Sequence, residues 1–351
     1  MITKLPFVSF CSIGIVFFRC QSPYFIFSTT HLGFILVKSN DNPSGGDVKL
    51  KYYRLANSIG DVCLSVETGE GILENLTSIE DDVTDILDLI KASSITGESI
   101  DDIARKILDS GDSEKIDTDI IFQASPQSEI DWSLDRPFDP PEVWAAGVTY
   151  KNSEMERRRE SDTPDIYSKV YNADRPEVFF KSTSERCMGP FDNVGIRADS
   201  SWDAPEPELA FVIYKGEIVG YTIGNDMSSR SIEGENPLYL PQAKMFDNSC
   251  SIGPCFVTAE TISNPQNLDV NCVIVRNGEE VFSGSTSTSE MARTCNEICE
   301  WLLKSNFVPD MTTVLTGTSI VPPPDFTLQE GDRVIISIQN IGVLENDVIE
   351  V

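Results

Sequence analysis

From Asp135 to its C-terminus the chain is cut by glycine and proline into short runs of β-branched residues, a texture that admits a β-rich domain and little else. Glu208 to Tyr214, Ile218 to Ile223, Val270 to Arg276 and Asp332 to Ile338 have strand length and composition. Asn277-Gly278 is a strong hairpin signal, because both residue types tolerate positive φ. One helix interrupts the strands: Ser287 with Glu290 reads as its capping box, and Met291, Cys295, Ile298 and Leu302 recur along one face.

Upstream, Lys51 to Leu55 and Val62 to Val66 read as strands around a turn at Ser58 to Asp61, and Val83 to Ile90 and Ile100 to Ile107 carry helical periodicity. Gly111 to Asp119 is polar and acidic, with Ile116 its one apolar anchor. The expected organisation is α+β: a leader and linker over 1–46, a small N-terminal α/β domain over 47–130, and a larger domain over 131–351, with the boundary near Pro126 to Asp135.

Charge restricts the partners. The chain has 56 acidic and 27 basic residues, a formal net charge of -29. Phosphates are repelled at long range, so neither nucleic acid nor an anionic membrane is an expected partner of the folded domain. A small anionic substrate needs a metal or local Lys and Arg to draw it in. Residues 1–40 differ, with no Asp or Glu and an apolar run from Leu5 to Phe18. That run is shorter than the roughly 20 residues of a membrane span and lacks an Ala-x-Ala cleavage site. It reads as an organellar or secretory leader, a poorly formed anchor, or a stretch outside the natural protein. Nine cysteines without a Cys-x-x-Cys pair suit reduced thiols in a cytoplasmic enzyme.

The chain has one histidine, His31. Imidazole chemistry is therefore almost excluded, and any metal site must be built from oxygen. Glu206, Glu208 and Asp226 are the obvious material, and oxygen ligands select Mg2+, with Mn2+ or Ca2+ as alternatives. Alternation along a strand places Glu206 and Glu208 on one side. After the Lys215-Gly216 turn, a two-residue loop pairs Glu206 with Asn225, whereas a three-residue loop or a bulge brings in Asp226. The competing reading is an exposed edge strand with solvated charges.

Eight ordered elements between about Trp144 and Val348 settle the comparison. They are Gly147-Val148-Thr149-Tyr150, Arg175-Pro176-Glu177-Val178-Phe179-Phe180-Lys181, Gly189-Pro190, Glu206-Pro207-Glu208, Gly220 to Asp226, Lys244-Met245-Phe246-Asp247, Gly253-Pro254 and Thr316-Gly317-Thr318. Together they resemble the fumarylacetoacetate hydrolase family, closest to its 2-keto-3-deoxy-D-arabinonate dehydratase branch. The resemblance implies a mixed β-roll that assembles as a homodimer or homotetramer, and one Mg2+ held by Glu206, Glu208 and Asp226. Hydrolase and decarboxylase members carry a His with a Glu three residues later after the Gly-x-x-Tyr element. Here those positions are Ser153 and Glu156. Ser231 is a smaller departure, standing where many relatives have Asp.

The resemblance further implies Lys244 and Glu177 as pocket groups. Lys244 is expected as a base of lowered pKa and Glu177 as the acid for a leaving hydroxyl. Lys181, Ser153, Arg157 and Thr318 are expected at the substrate, with Ser153 and Arg157 one turn apart on a polar helix or lid from Asn152 to Ser161. The first expectation is a Mg2+-dependent dehydratase of a small anionic 2-oxo acid, a 2-keto-3-deoxy sugar acid. A carbon-carbon bond hydrolase or decarboxylase of a diketo acid is the second, and a sugar-acid binding protein on an inherited scaffold the third.

Overall fold

The Pro207–Tyr214 strand is buried on both faces, which sets its place at the centre of a sheet. Leu209, Phe211 and Ile213 join one apolar core, while Ala210 and Val212 join another. The computed structural model describes residues 49–69, 71–122, 132–160 and 164–351. His31 and the expected leader and linker lie outside them, as does most of the expected boundary from Pro126 to Asp135.

Ten strands follow one path through the main sheet. In spatial order they are Glu114–Asp117, Ile72–Asn75, Val62–Gly69, Lys51–Ala56, Cys250–Thr258, Glu217–Asp226, Pro207–Tyr214, Thr312–Leu315, Glu142–Gly147 and Glu177–Thr183. The helices Ile86–Thr96 and Ile100–Ser110 contribute Ile86, Leu89, Ile90 and Ala104 to the core on one side. On the other, the sheet shares a core with a five-stranded sheet that includes Asp269–Arg276, Arg333–Ile338 and Gly342–Glu350. The α+β class and the β-roll agree with this architecture.

The division near residue 130 does not separate two packed bodies. Residues from Asp47 to Val351 form one unit, because the Lys51–Ala56 strand pairs antiparallel with Cys250–Thr258. Asp101 adds a buried tie, accepting hydrogen bonds from Tyr52 at 2.8 Å and Thr261 at 2.9 Å. Ladder bonds and shared apolar surface override the change of sequence texture.

Three local features differ from expectation or sharpen it. Glu114–Asp117 is an edge strand, despite its polarity, paired with Ile72–Asn75. Ser287 caps only the 3-10 turn Thr288–Glu290; the helix is Cys295–Leu303, and Thr294 caps it by accepting from the Glu297 N–H at 3.1 Å. Thr294-Cys-Asn-Glu297 has the spacing of a capping box and was the stronger signal. Asn277 and Gly278 have φ of 50° and 85°, as the hairpin requires.

Candidate active site

The open parity question is answered by one residue. The Lys215-Gly216 turn is a two-residue loop, since Tyr214 pairs with Glu217, but Val212 pairs with Gly220 while Ile213 pairs with Ile218. Val219 is thus an extra residue, a bulge that shifts the register by one. Pro207 then opposes Asn225, and the Asp226 N–H donates to the Glu206 carbonyl at 3.0 Å. Glu206, Glu208 and Asp226 converge, with ligand oxygens all within 4.8 Å of one another and all three side chains buried.

Side chains and backbone from several parts of the chain hold the three carboxylates. Lys244, at the end of the helix Leu240–Lys244, lies 2.9 Å from Glu206 Oε2 and donates to Asp226 Oδ2 at 3.0 Å and Ser228 Oγ at 2.6 Å. Arg157 donates to Glu206 Oε1 and to Glu233 Oε2, both at 2.7 Å. Glu208 receives the Gly317 N–H at 2.5 Å. Gly317 has φ of +90°, and a Cβ there would meet Thr149 Oγ1 at 2.1 Å, so glycine is required.

Environment separates Glu206 from Glu208. Burial resists ionisation of Glu206, but Lys244, Arg157 and Arg230 outweigh it and hold the group well below its usual range. Glu208 is driven the opposite way, well up, by burial and by the charges of Asp226 and Glu206. A buried carboxyl in that state, whose described donor is a backbone amide, fits a site completed by a cation. The all-oxygen donor set fits Mg2+ or Mn2+.

A pocket opens onto this cluster, lined by Glu206, Asp226, Lys244, Glu177, Arg157, Ser153 and Thr318 together with Glu233, Phe179 and Leu240. Glu177 is pushed up to about 7 by burial and the nearby Glu233 charge, against Arg157 and Lys244. Gly147, its register partner, leaves it room: a Cβ there would lie 2.1 Å from Glu177 Oε2.

Two expectations change. Lys181 does not reach the pocket; it is fully buried behind the carboxylates, 2.6 Å from Asp226 Oδ1, and donates to the Met227 carbonyl at 2.9 Å and to the Lys244 carbonyl. Regular alternation would put Lys181 on the face of Glu177, but Val143 pairs with Ser182 and Trp144 with Phe180, so Lys181 is the extra residue of a bulge and its side chain is fully buried. For Lys244, burial lowers the pKa, but Asp226, Glu206 and Glu233 outweigh burial, and in the metal-free chain it lies above, not below, the usual lysine value.

Ser153 and Arg157 both face the pocket from the helix Lys151–Glu160, one turn apart. Glu156 does not line the pocket; it accepts from Arg159 at 2.6 Å. Thr318 lines the pocket while its Oγ1 accepts the Ile320 N–H at 3.1 Å. Sequence reasoning gave no role to Glu233 and Arg230, both buried on the helix Arg230–Glu235. Their spacing of three places both on one helical face, the signal that was present.

A β-roll carrying a buried Glu-x-Glu and Asp oxygen site has the donor set of a divalent-metal protein. Residues 142–349 match the fumarylacetoacetate (FAA) hydrolase C-terminal family, and the chain belongs to that family. It is 49% identical over 274 residues to a Haloferax volcanii protein described as a probable 2-keto-3-deoxyxylonate dehydratase, covering 78% of this chain and 91% of that one. It is 46% identical over 222 residues to the 2-dehydro-3-deoxy-D-arabinonate dehydratase of Saccharolobus solfataricus, covering 61% of this chain and 74% of the relative. A solved 2-keto-3-deoxy-D-arabinonate dehydratase complexed with magnesium and 2,5-dioxopentanoate superposes with a TM-score of 0.73 at 36% identity, covering 86% of this chain and 99% of that one.

Proposed function

We propose that this protein is a Mg2+-dependent dehydratase of a 2-keto-3-deoxy sugar acid, a pentonate. The observation that carries the reading is the serine at position 153 together with the orientation of the retained Glu156. A serine faces the pocket where hydrolytic relatives have histidine, and the glutamate that would complete a water-activating dyad is turned away to Arg159. Elimination needs no activated water; it needs a base at C3 and an acid at C4.

Glu206, Glu208 and Asp226 are the residues to hold the metal. A divalent cation bound there supplies Lewis-acid polarisation of a substrate carbonyl. The site's own charges suit such a pair of ligands. Five carboxyls, Glu177, Glu206, Glu208, Asp226 and Glu233, face four cations, Arg157, Lys181, Arg230 and Lys244. With Glu177 protonated the remaining four carboxylates balance the four cations, and two added positive charges leave a surplus that one substrate carboxylate offsets in part. Arg157 is the pocket cation suited to that carboxylate, since a guanidinium binds it bidentately.

Lys244 takes the C3 proton once Glu206 and Asp226, which hold it protonated in the chain alone, are engaged elsewhere. Glu177 keeps its proton up to about pH 7 and gives it to the departing C4 hydroxyl, which leaves as water. Loss of water leaves a 5-hydroxy-2-oxo-3-enoate; a C5 proton is then lost and C3 is protonated, and the resulting C4–C5 enol tautomerises to a 2,5-dioxo acid. Ser153 and Thr318 bind substrate hydroxyls. The protein acts in the cytoplasm as a homodimer or homotetramer; among the described residues no helix is long and apolar enough to cross a membrane.

Purified protein with Mg2+ is offered 2-keto-3-deoxypentonates and acylpyruvates, with products followed by NMR. Formation of a 2,5-dioxo acid is expected. Turnover confined to acylpyruvates would replace the dehydratase reading with the hydrolase one.

A further inference from the structure

Two cysteines behind the pocket stand in an arrangement that dehydration does not use. Cys187 and Cys250 are register partners where Cys187–Met188 pairs in parallel with Cys250–Thr258, and their Sγ atoms lie 3.8 Å apart. Both are free and buried. On its other side Cys250 is the register partner of Asp226. Cys187 follows the 3-10 turn Ser184–Arg186, which leads straight out of the strand that carries Glu177 and Lys181.

We propose that Cys187 and Cys250 form an oxidisable dithiol, closed to a disulfide by a small hydroperoxide, and that closure loosens the hold of Lys181 on Asp226. In the first step the Cys187 sulfur attacks one peroxide oxygen and the O–O bond breaks. Cys187 becomes a sulfenic acid and the other oxygen leaves as an alcohol, or as water from hydrogen peroxide. The Cys250 sulfur then attacks Cys187 Sγ, the S–O bond breaks, and the hydroxyl leaves as water as the S–S bond forms. The two thiols lose two electrons and two protons, and the peroxide takes up both.

Geometry decides which element moves. The sulfurs must close from 3.8 Å to a bond of about 2.05 Å. Cys250–Thr258 is buried along its whole length and, at Cys250, is paired on both sides. Cys187–Met188 is two residues long and yields instead. Its displacement passes through Ser184–Arg186 to Lys181, whose ammonium lies against Asp226 and the Met227 and Lys244 carbonyls. Burial raises a thiol's pKa, but at Cys187 the Cys250 thiol, Arg136 and Lys181 outweigh it and bring the group below its ordinary value, which suits the attacking sulfur. Burial of both sulfurs favours the smallest oxidant, hydrogen peroxide, over glutathione disulfide.

The effect on Asp226 rests on the metal reading above, whereas the disulfide itself does not. Reduced full-length protein is treated with hydrogen peroxide, digested without reductant and analysed by mass spectrometry, with Mn2+ binding followed by EPR. A cross-linked Cys187–Cys250 peptide 2 Da lighter than its reduced halves is expected, with Mn2+ affinity lowered at least tenfold and both changes reversed by dithiothreitol. Cys187→Ser should bind Mn2+ like the parent and ignore peroxide, and Cys187→Ala serves if the serine variant does not fold. The dithiol is overturned if peroxide yields no such peptide while the urea-unfolded chain oxidises. A disulfide that leaves Mn2+ affinity unchanged overturns the coupling to Asp226. If neither form binds Mn2+, the metal reading fails and the cross-link result still decides the dithiol.

Discussion

Asp226 stands directly across the ladder from Glu206, its N–H donating to the Glu206 carbonyl at 3.0 Å, and it does so because Val219 is bulged out of the strand between them and the turn. The metal site therefore depends on a backbone irregularity seven residues away from the ligand it positions.

Inserting one alanine between Val219 and Gly220 moves every later residue one step along the ladder, brings Asn225 opposite Glu206 and sends the Asp226 side chain to the opposite face. Calorimetry with Mg2+ is expected to show affinity reduced by about 100-fold or more, the upper end of what lost ligand support costs. Val219→Ala keeps the extra residue and should bind normally. Equal binding by the insertion variant, with its melting transition intact, would remove the register from the account.

Asp226 also neutralises two buried lysines, Lys181 and Lys244. Asp226→Asn leaves both short of a counter-charge, and in metal-free protein it should cost about 3–5 kcal/mol by urea denaturation. A loss below about 1 kcal/mol would mean that the backbone carbonyls and Glu206 suffice.

Gly317→Ala forces a side chain into a left-handed conformation and against Thr149 Oγ1. Strain of about 1–3 kcal/mol is expected, with a parallel fall in Mg2+ affinity because the N–H that holds Glu208 is displaced. Unfolding and metal titrations on one preparation test both effects; a change in stability alone would show that the Glu208 contact is not needed.

Glu177 gives a pH signature. Its folded pKa of about 7 exceeds the unfolded value of 4.5, so between those values the native state holds a proton that the unfolded chain has lost. Stability of the metal-free protein should thus fall as pH rises from 4.5 toward 7 and level off above it. In Glu177→Gln that slope is expected to flatten. The same proton makes kcat/KM decline above about pH 7, a limb the variant cannot show because it lacks the acid.

The net charge of -29 predicts a salt response. Raising ionic strength from roughly 0.01 to 0.15 M shortens the screening length from about 30 to 8 Å and relieves self-repulsion of the folded chain. The melting temperature, followed by calorimetry, should rise across that range. A flat profile would mean that local pairs such as Arg333 with Asp347 already compensate the surface.

Much of the site was legible in the residues themselves. With one histidine in the chain, Glu206, Glu208 and Asp226 were the available metal ligands, and motif order brought Glu177 and Lys244 to the same pocket. Lys181 was not legible: whether its ammonium meets substrate or the back of Asp226 depends on a strand's orientation, and proximity to Glu177 in sequence says nothing about that. Arg230 and Glu233 were hidden because charged residues on a short helix ordinarily face water, and these two are buried by what packs on them.

Sequence alone determined the β-rich class, the hairpin at Asn277-Gly278, the oxygen-only donor set and the loss of the imidazole dyad at Ser153. These depend on residue type and local spacing, which the chain carries wherever it goes. Only the tertiary structure decided which carboxylates meet, which lysine reaches the pocket, and that the strands between Lys51 and Asp117 share one sheet with the rest. Those outcomes turn on register, on a single extra residue in a ladder, and on long-range burial, all of them set by pairing between segments far apart in sequence.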